Sequence, residues 1–197
     1  MTIAVVTAGQ STPSATRLLG DRLAEGTVSA LAELGVPAEP VFIELRELAA
    51  DLANQALTRF AGQRLQQALD SIGRADGVIA ISPIYNGSFT GLFKLFFDAL
   101  DEGVLAGRPV LLAATGGTPR HSLAVDHALL PLFYYLKAII APHPVFAATK
   151  DWGAAGGKLE KRISRAAGAF APLVAGARPS RPDDQLEVID FTELLDG

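Results

Sequence analysis

The sequence predicts an α/β domain in which a parallel sheet is covered by helices on both faces. Three observations carry that expectation. Short β-branched runs alternate along the chain with longer stretches whose apolar residues fall at helical spacing. The apolar share is high, 49% against 19% charged residues, as a sheet buried on both faces or a buried oligomer interface requires. Several of the strand-like runs end in loops rich in Gly, Ser and Thr that open directly into helices.

The first run, Ile3–Thr7, reads as a buried strand, and Ala8–Pro13 as a loop of small polar residues. From Ser14 to Leu34 the apolar positions Leu18, Leu19, Leu23, Val28, Leu31 and Leu34 predict a helix stopped by Gly35 and Pro37. Pro40–Glu44 is a second strand, Leu45–Asn54 a short helix or irregular loop, and Gln63–Arg74 a helix on Leu65, Leu69 and Ile72. Val78–Ser82 is the third strand and Thr90–Leu100 the next helix; Pro109–Thr115 is the fourth strand. Ser122–Ala138 has helical anchors at Leu123, Leu129, Leu130, Phe133 and Leu136, but Pro131 interrupts it, implying a kink, a local bulge or two helices. Val145–Ala148 is the fifth strand and Lys158–Val174 the last helix. A domain over residues 1–176 is expected, with 177–197 a tail that forms a short strand, a docking arm or an oligomer arm.

Alternating strands and helices imply right-handed crossovers and a parallel sheet. Five strands fit the flavodoxin-like order 2-1-3-4-5, a three-layer sandwich, better than a six-stranded dinucleotide fold. At 197 residues with a net charge of −4, nothing favours nucleic acid or an anionic membrane. The absence of cysteine excludes disulfides, thiol catalysis and thiolate metal sites. The first strand begins too early for a signal peptide, and no apolar stretch is long enough to span a bilayer, so a cytoplasmic protein is expected.

In an open α/β sheet, ligands bind beyond the carboxyl ends of the strands. Three loops belong there. The first, Ala8–Arg17, carries hydroxyls at Ser11, Thr12, Ser14 and Thr16 beside the free amides of a helix start, a combination suited to phosphate or to simple helix capping. It has neither a Walker Lys nor G-x-G-x-x-G, so nucleotide hydrolysis and a standard dinucleotide site are not expected. The second, Ser82–Gly91, reads Ser-Pro-Ile-Tyr-Asn-Gly-Ser-Phe-Thr-Gly; Asn86-Gly87 suits a tight turn and Tyr85 can lie against a ring. The third, Thr115–His121, has adjacent glycines that let backbone approach a ligand. Each alone is equally a plain turn. With strands one, three and four adjacent, they converge, and together they argue for phosphate in the first and a planar ring between the other two. His121 is placed to bond a ligand; His127 is mid-helix, with surface or interface as its default. The three histidines lack metal-ligand spacing.

Ser82–Ser88 with Gly91 and Lys94, together with Thr115-Gly116-Gly117 and His121–Asp126, resembles the flavin-binding signature of NAD(P)H-dependent FMN reductases of flavodoxin-like fold. The resemblance runs from Ile3 to Ala148 and is nearest to reductases that serve two-component, luciferase-like flavin monooxygenases. It implies FMN with NADPH or NADH. Ser11, Ser14 and Thr16 would hold the phosphate; Pro83, Ile84, Tyr85, Asn86, Gly87 and Ser88 the ribityl chain and ring; Thr115, Gly116 and Gly117 the ring's far side; and His121 would lie near the ring or the nicotinamide. Many relatives read Gly-Ser-Pro-Arg in the first loop; here it is Gly-Gln-Ser-Thr-Pro-Ser, and Arg17 is the only nearby cation. In the two-component relatives an extra residue after the third loop forms a π-bulge at a tetramer interface, and His127 falls at that position. The implied reaction is hydride transfer from nicotinamide to flavin N5, which needs stacked rings and no catalytic side chain or metal. Reduced FMN would then leave for a partner monooxygenase, and a homodimer or homotetramer is expected. The competing expectations are a quinone, azo or chromate reductase with tightly held FMN, and a non-enzymatic electron carrier.

Overall fold

The computed structural model describes residues 1–152 and 157–177. The strands are β1 (Thr2–Thr7), β2 (Glu39–Glu44), β3 (Gly77–Pro83), β4 (Pro109–Gly116), β5 (Ile139–Ile140) and β6 (Val145–Ala148). The helices are α1 (Ala15–Glu33), α2 (Ala49–Thr58), α3 (Gln63–Arg74), α4 (Gly91–Asp98), α5 (Leu130–Tyr135) and α6 (Gly157–Gly176). All pairs are parallel, in the order β2-β1-β3-β4, with β5 and β6 both paired to β4.

The flavodoxin-like order holds, and its fifth position is an interrupted edge. Ile139 pairs with Pro109 at the start of β4, and Val145 with Ala113 further along. Pro142 and Pro144 stand between the two segments, and proline cannot donate to a ladder. The sequence pattern predicts β6 but not β5, because two residues show no periodicity. The stretch read as Leu45–Asn54 is a 3₁₀ turn over Leu45–Leu48 followed by α2, which runs on to Thr58. Residues 178–197 of the expected tail lie outside the described residues.

Alternation along each strand builds two cores. Ile3, Val5, Ile79, Ile81, Leu111 and Ala113 point to one face, under α1 and α6. Ala4, Val6, Val78, Ala80, Leu112 and Ala114 point to the other, under α2 to α5. Both faces are covered, which is why every residue of β3 is buried. On the second face Phe93, Phe97 and Phe133 pack at tilted and edge-to-face angles, with Phe93–Phe97 centroids 4.7 Å and Phe97–Phe133 centroids 4.8 Å apart. Truncating one such ring costs about 3–5 kcal/mol. Phe133 lies on α5 and the other two on α4, so this cluster fixes the segment after β4 against the helix that follows β3.

The predicted Ser122–Ala138 helix is two pieces, a π-helical turn over Val125–Leu129 and then α5, and a 3₁₀ turn over Pro119–His121 precedes them. The Leu130 amide donates to the carbonyl of Val125, five residues back, and Pro131 has no amide with which to restore the ordinary ladder. His127 is at the centre of the π turn.

Candidate flavin site at the carboxyl end of the sheet

The three loops meet, and each pair is joined by a hydrogen bond. The Ala8 amide donates to the Ile81 carbonyl at 3.0 Å, tying the first to the end of β3. The Ile84 amide donates to the Thr115 carbonyl at 2.8 Å, tying the second to the third. The hydroxyls of Thr16 and Thr115 are 2.8 Å apart and buried, tying the third back to the first across 99 residues of sequence. Parallel register sets these contacts up: Thr7 lies beside Ile81, and Pro83 beside Thr115.

In the first loop Ser14 caps α1, its Oγ accepting from the Arg17 amide at 3.2 Å. Its own proton stays available to a ligand. Ser11 is exposed, and its hydroxyl donates to the Pro13 carbonyl at 3.0 Å. Thr16 is buried in its pair with Thr115, which uses one of their two hydroxyl protons. The amides of Gln10, Ser11, Thr12, Ala15 and Thr16 make no backbone hydrogen bond among the described residues. A cluster of neutral donors at the start of a 19-residue helix is an anion site in its chemistry.

The second loop is a tight turn closed by reciprocal Tyr85–Ser88 backbone bonds, with Asn86 at φ 51° and Gly87 at φ 82°. Both are exposed, as is Tyr85, while Pro83 and Ile84 are buried and Ser88 and Phe89 half-buried. Ser82 holds the loop from beneath. Its buried hydroxyl donates to the Pro83 carbonyl at 2.9 Å and accepts from the Thr90 amide at 3.1 Å. Thr90 in turn caps α4 by accepting from the Phe93 amide. The Ser82–Thr90 pairing brackets the turn in sequence, yet only the folded chain shows that the hydroxyl bridges it.

In the third loop Gly116 packs against Phe146, and a Cβ there would lie 2.9 Å from the ring. Gly117 is exposed and faces open space, with nothing within 4 Å of a Cβ. His121 is exposed, its backbone folded into the 3₁₀ turn beside Gly116.

In sequence Arg17 is the only cation near the first loop; the structure adds Arg46 from the turn after β2. Arg46 donates to the Ser11 carbonyl at 3.2 Å and to Thr12 Oγ1, and pairs with Glu44 at 3.0 Å. Arg17 is turned aside. It binds Asp21 at 2.8 Å and Glu44, and lies 4.2 Å over the Phe42 ring. Its hydrogen bond to the Asp21 carboxylate pushes its pKa further up, outweighing burial. Arg46 sits far in sequence from the loop it touches, and the register that pairs Thr7 with Glu44 brings it there.

A groove of about 550 Å³ lies elsewhere, lined by Arg59, Phe60, Leu69, Arg74, Leu100 and Val104 among others. It takes no residue from the three loops, and it opens where α3 and α4 end. Among the described residues no cluster of His, Asp and Glu could hold a metal, and no helix is long and apolar enough to cross a membrane.

The fold and the loop cluster define a flavodoxin-like α/β protein. The sequence profile of the NADPH-dependent FMN reductase family matches residues 1–153, and the chain belongs to that family. A Pseudomonas aeruginosa protein named FMN reductase (NADPH) is 40% identical over 179 residues, covering 88% of this chain and 92% of the relative. The Pseudomonas putida NADH-dependent FMN reductase SfnE is 37% identical over 178 residues, with the same coverage of 88% and 92%. The crystal structure of an oxidoreductase from Corynebacterium diphtheriae superposes with a TM-score of 0.86 at 42% identity, covering 90% of this chain and 98% of that one. The chain is accordingly an oxidoreductase, an FMN reductase that draws on NADPH or NADH.

Proposed function

We propose that this chain takes FMN as an exchangeable substrate, reduces it with NADPH or NADH, and releases reduced FMN to a flavin-dependent monooxygenase. The observation that supports it is the platform of three loops tied pairwise by hydrogen bonds, whose surface offers mainly backbone amides and hydroxyls, with His121 exposed at its edge. Such a surface orients ligands and leaves the chemistry to them. Bound FMN supplies the ring that accepts the hydride. Ser11, Ser14 and Thr16, with the free amides of their loop, hold its phosphate. Pro83 to Ser88 line the ribityl chain and ring. Thr115, Gly116, Gly117 and His121 bound the far side, where the nicotinamide stacks. The amides of Gly87 and Gly117, which make no backbone bond among the described residues, are donors for negative charge on the ring.

Self-association belongs to the same reading. Leu123, Tyr134 and Tyr135 are exposed on the segment that carries the π turn, with Tyr135 84% exposed. We assign this face to a homo-oligomer contact, and the chain to the cytoplasm, where NADPH and NADH are available.

Oxidation of NADPH or NADH against graded FMN, with no other acceptor, tests the function. The rate is expected to saturate with FMN and to respond less to FAD and riboflavin. A yellow purified protein that reduces quinones by ping-pong kinetics and ignores added FMN overturns it.

A further inference from the structure

We propose that Arg46, and not Arg17, supplies the positive charge at the flavin phosphate, so that FMN is chosen over riboflavin by a residue outside the phosphate loop. The inference rests on the reading of the three loops as a flavin site. Its ground is how the two guanidinium groups are occupied.

Arg17 stands at the start of α1, where a phosphate-binding cation is ordinarily sought, but its fork is committed. Nε binds Asp21 at 2.8 Å, Nη1 binds Glu44, and the plane lies over Phe42 at 4.2 Å. Two carboxylates face one cation, and moving it to a phosphate would break both contacts and the stacking. Arg46 meets one carboxylate only, Glu44, which it shares with Arg17. The rest of its fork faces the Ser11 carbonyl and Thr12 Oγ1, both in the phosphate loop. These are neutral acceptors, and a phosphate oxygen is a stronger one for a guanidinium. Arg46 is therefore held at the loop by contacts that a phosphate can replace with gain, while Arg17 is held away by contacts it cannot.

Glu44 positions the pair. One oxygen takes Arg17 and the other Arg46, so each guanidinium limits the swing of the other. The β1–β2 register pairs Glu44 with Thr7, the last residue before the loop, and the 3₁₀ turn from Leu45 then presents Arg46 to it. The cation at this loop is thus supplied from the neighbouring strand's turn.

Titration of the full chain with FMN and with riboflavin, read by flavin fluorescence, separates this role from scaffolding. Riboflavin lacks only the phosphate. Arg46→Gln is expected to weaken FMN binding about tenfold or more while riboflavin changes by less than about twofold. Arg46→Lys recovers part of the FMN preference, since charge remains and the fork is lost. Arg17→Gln leaves the FMN-to-riboflavin ratio in place. Added salt weakens FMN binding to the wild type more than to Arg46→Gln. Equal losses for both flavins in Arg46→Gln, an unchanged FMN affinity, or loss of the preference in Arg17→Gln would each overturn the inference. A wild-type chain that binds neither flavin defeats the flavin-site reading itself. One that binds both, with its FMN preference intact in Arg46→Gln, defeats the Arg46 role alone.

Discussion

Adjacent glycines do opposite work in the third loop. A side chain at Gly116 would collide with the Phe146 ring at 2.9 Å, inside the fold. One at Gly117 would meet no protein atom within 4 Å and would enter the space over the loop. Gly116→Ala is expected to lower the melting temperature. Gly117→Val should leave it nearly unchanged and raise the FMN Kd about tenfold or more, by taking the space a ring needs. Differential scanning fluorimetry and flavin titration read the two effects separately. An equal Tm loss in both variants, with flavin binding intact, would remove Gly117 from the site. Asn86 and Gly87 are of a different kind, because their positive φ values, 51° and 82°, make the turn itself depend on residue type. Asn-Gly was legible as a turn in the sequence for that reason. The division of labour between Gly116 and Gly117 was not legible, since Phe146 is brought against Gly116 only by the pairing of β4 with β6.

Between elements, the decisive contact is the buried hydroxyl pair that joins α1 to β4. Replacing one threonine by valine keeps the shape and strands the other hydroxyl. Thr16→Val and Thr115→Val should each cost about 1–3 kcal/mol, and the double variant should recover much of that loss. Urea denaturation of the four proteins closes the cycle; additive losses would mean that the two hydroxyls are satisfied independently. The sequence showed both threonines as candidate ligand contacts, each in its own loop. Their contact with each other is invisible to any local pattern, because 99 residues separate them. The π turn is an intermediate case. Pro131 announces that helical hydrogen bonding must fail nearby, yet a kink, a bulge and two helices were equally consistent with it. Packing of Phe133 against Phe93 and Phe97 keeps the chain helical beyond the break, which leaves the extra residue as a π turn around His127.

At the scale of the whole molecule, both faces of the sheet are sealed by two separate cores, so further apolar surface has to be found on the outside. Tyr134 and Tyr135, 63% and 84% exposed, end α5, the helix that follows the π turn, and Leu123, 61% exposed, precedes that turn. A self-association face there predicts that Tyr135→Glu shifts the molecular mass seen by light scattering toward that of the single chain, because a carboxylate in a closed contact is costly to desolvate. Hydride transfer in a single turnover should change little. An unchanged mass would remove this face from self-association.

Local pattern determined much of this protein. Strand alternation, cap residues and turn dipeptides act over a few residues, so the α/β class, the strand order, the three loops at the carboxyl end of the sheet and the break at Pro131 all followed from the sequence by itself. Only the tertiary structure decided how those parts meet. It set Thr16 against Thr115, Gly116 against Phe146, and Ser82 beneath the second loop. It also turned Arg17 away from the first loop and brought Arg46 to it. The physical reason is that a charge is assigned by the groups around it, and strand register, not sequence distance, selects those groups.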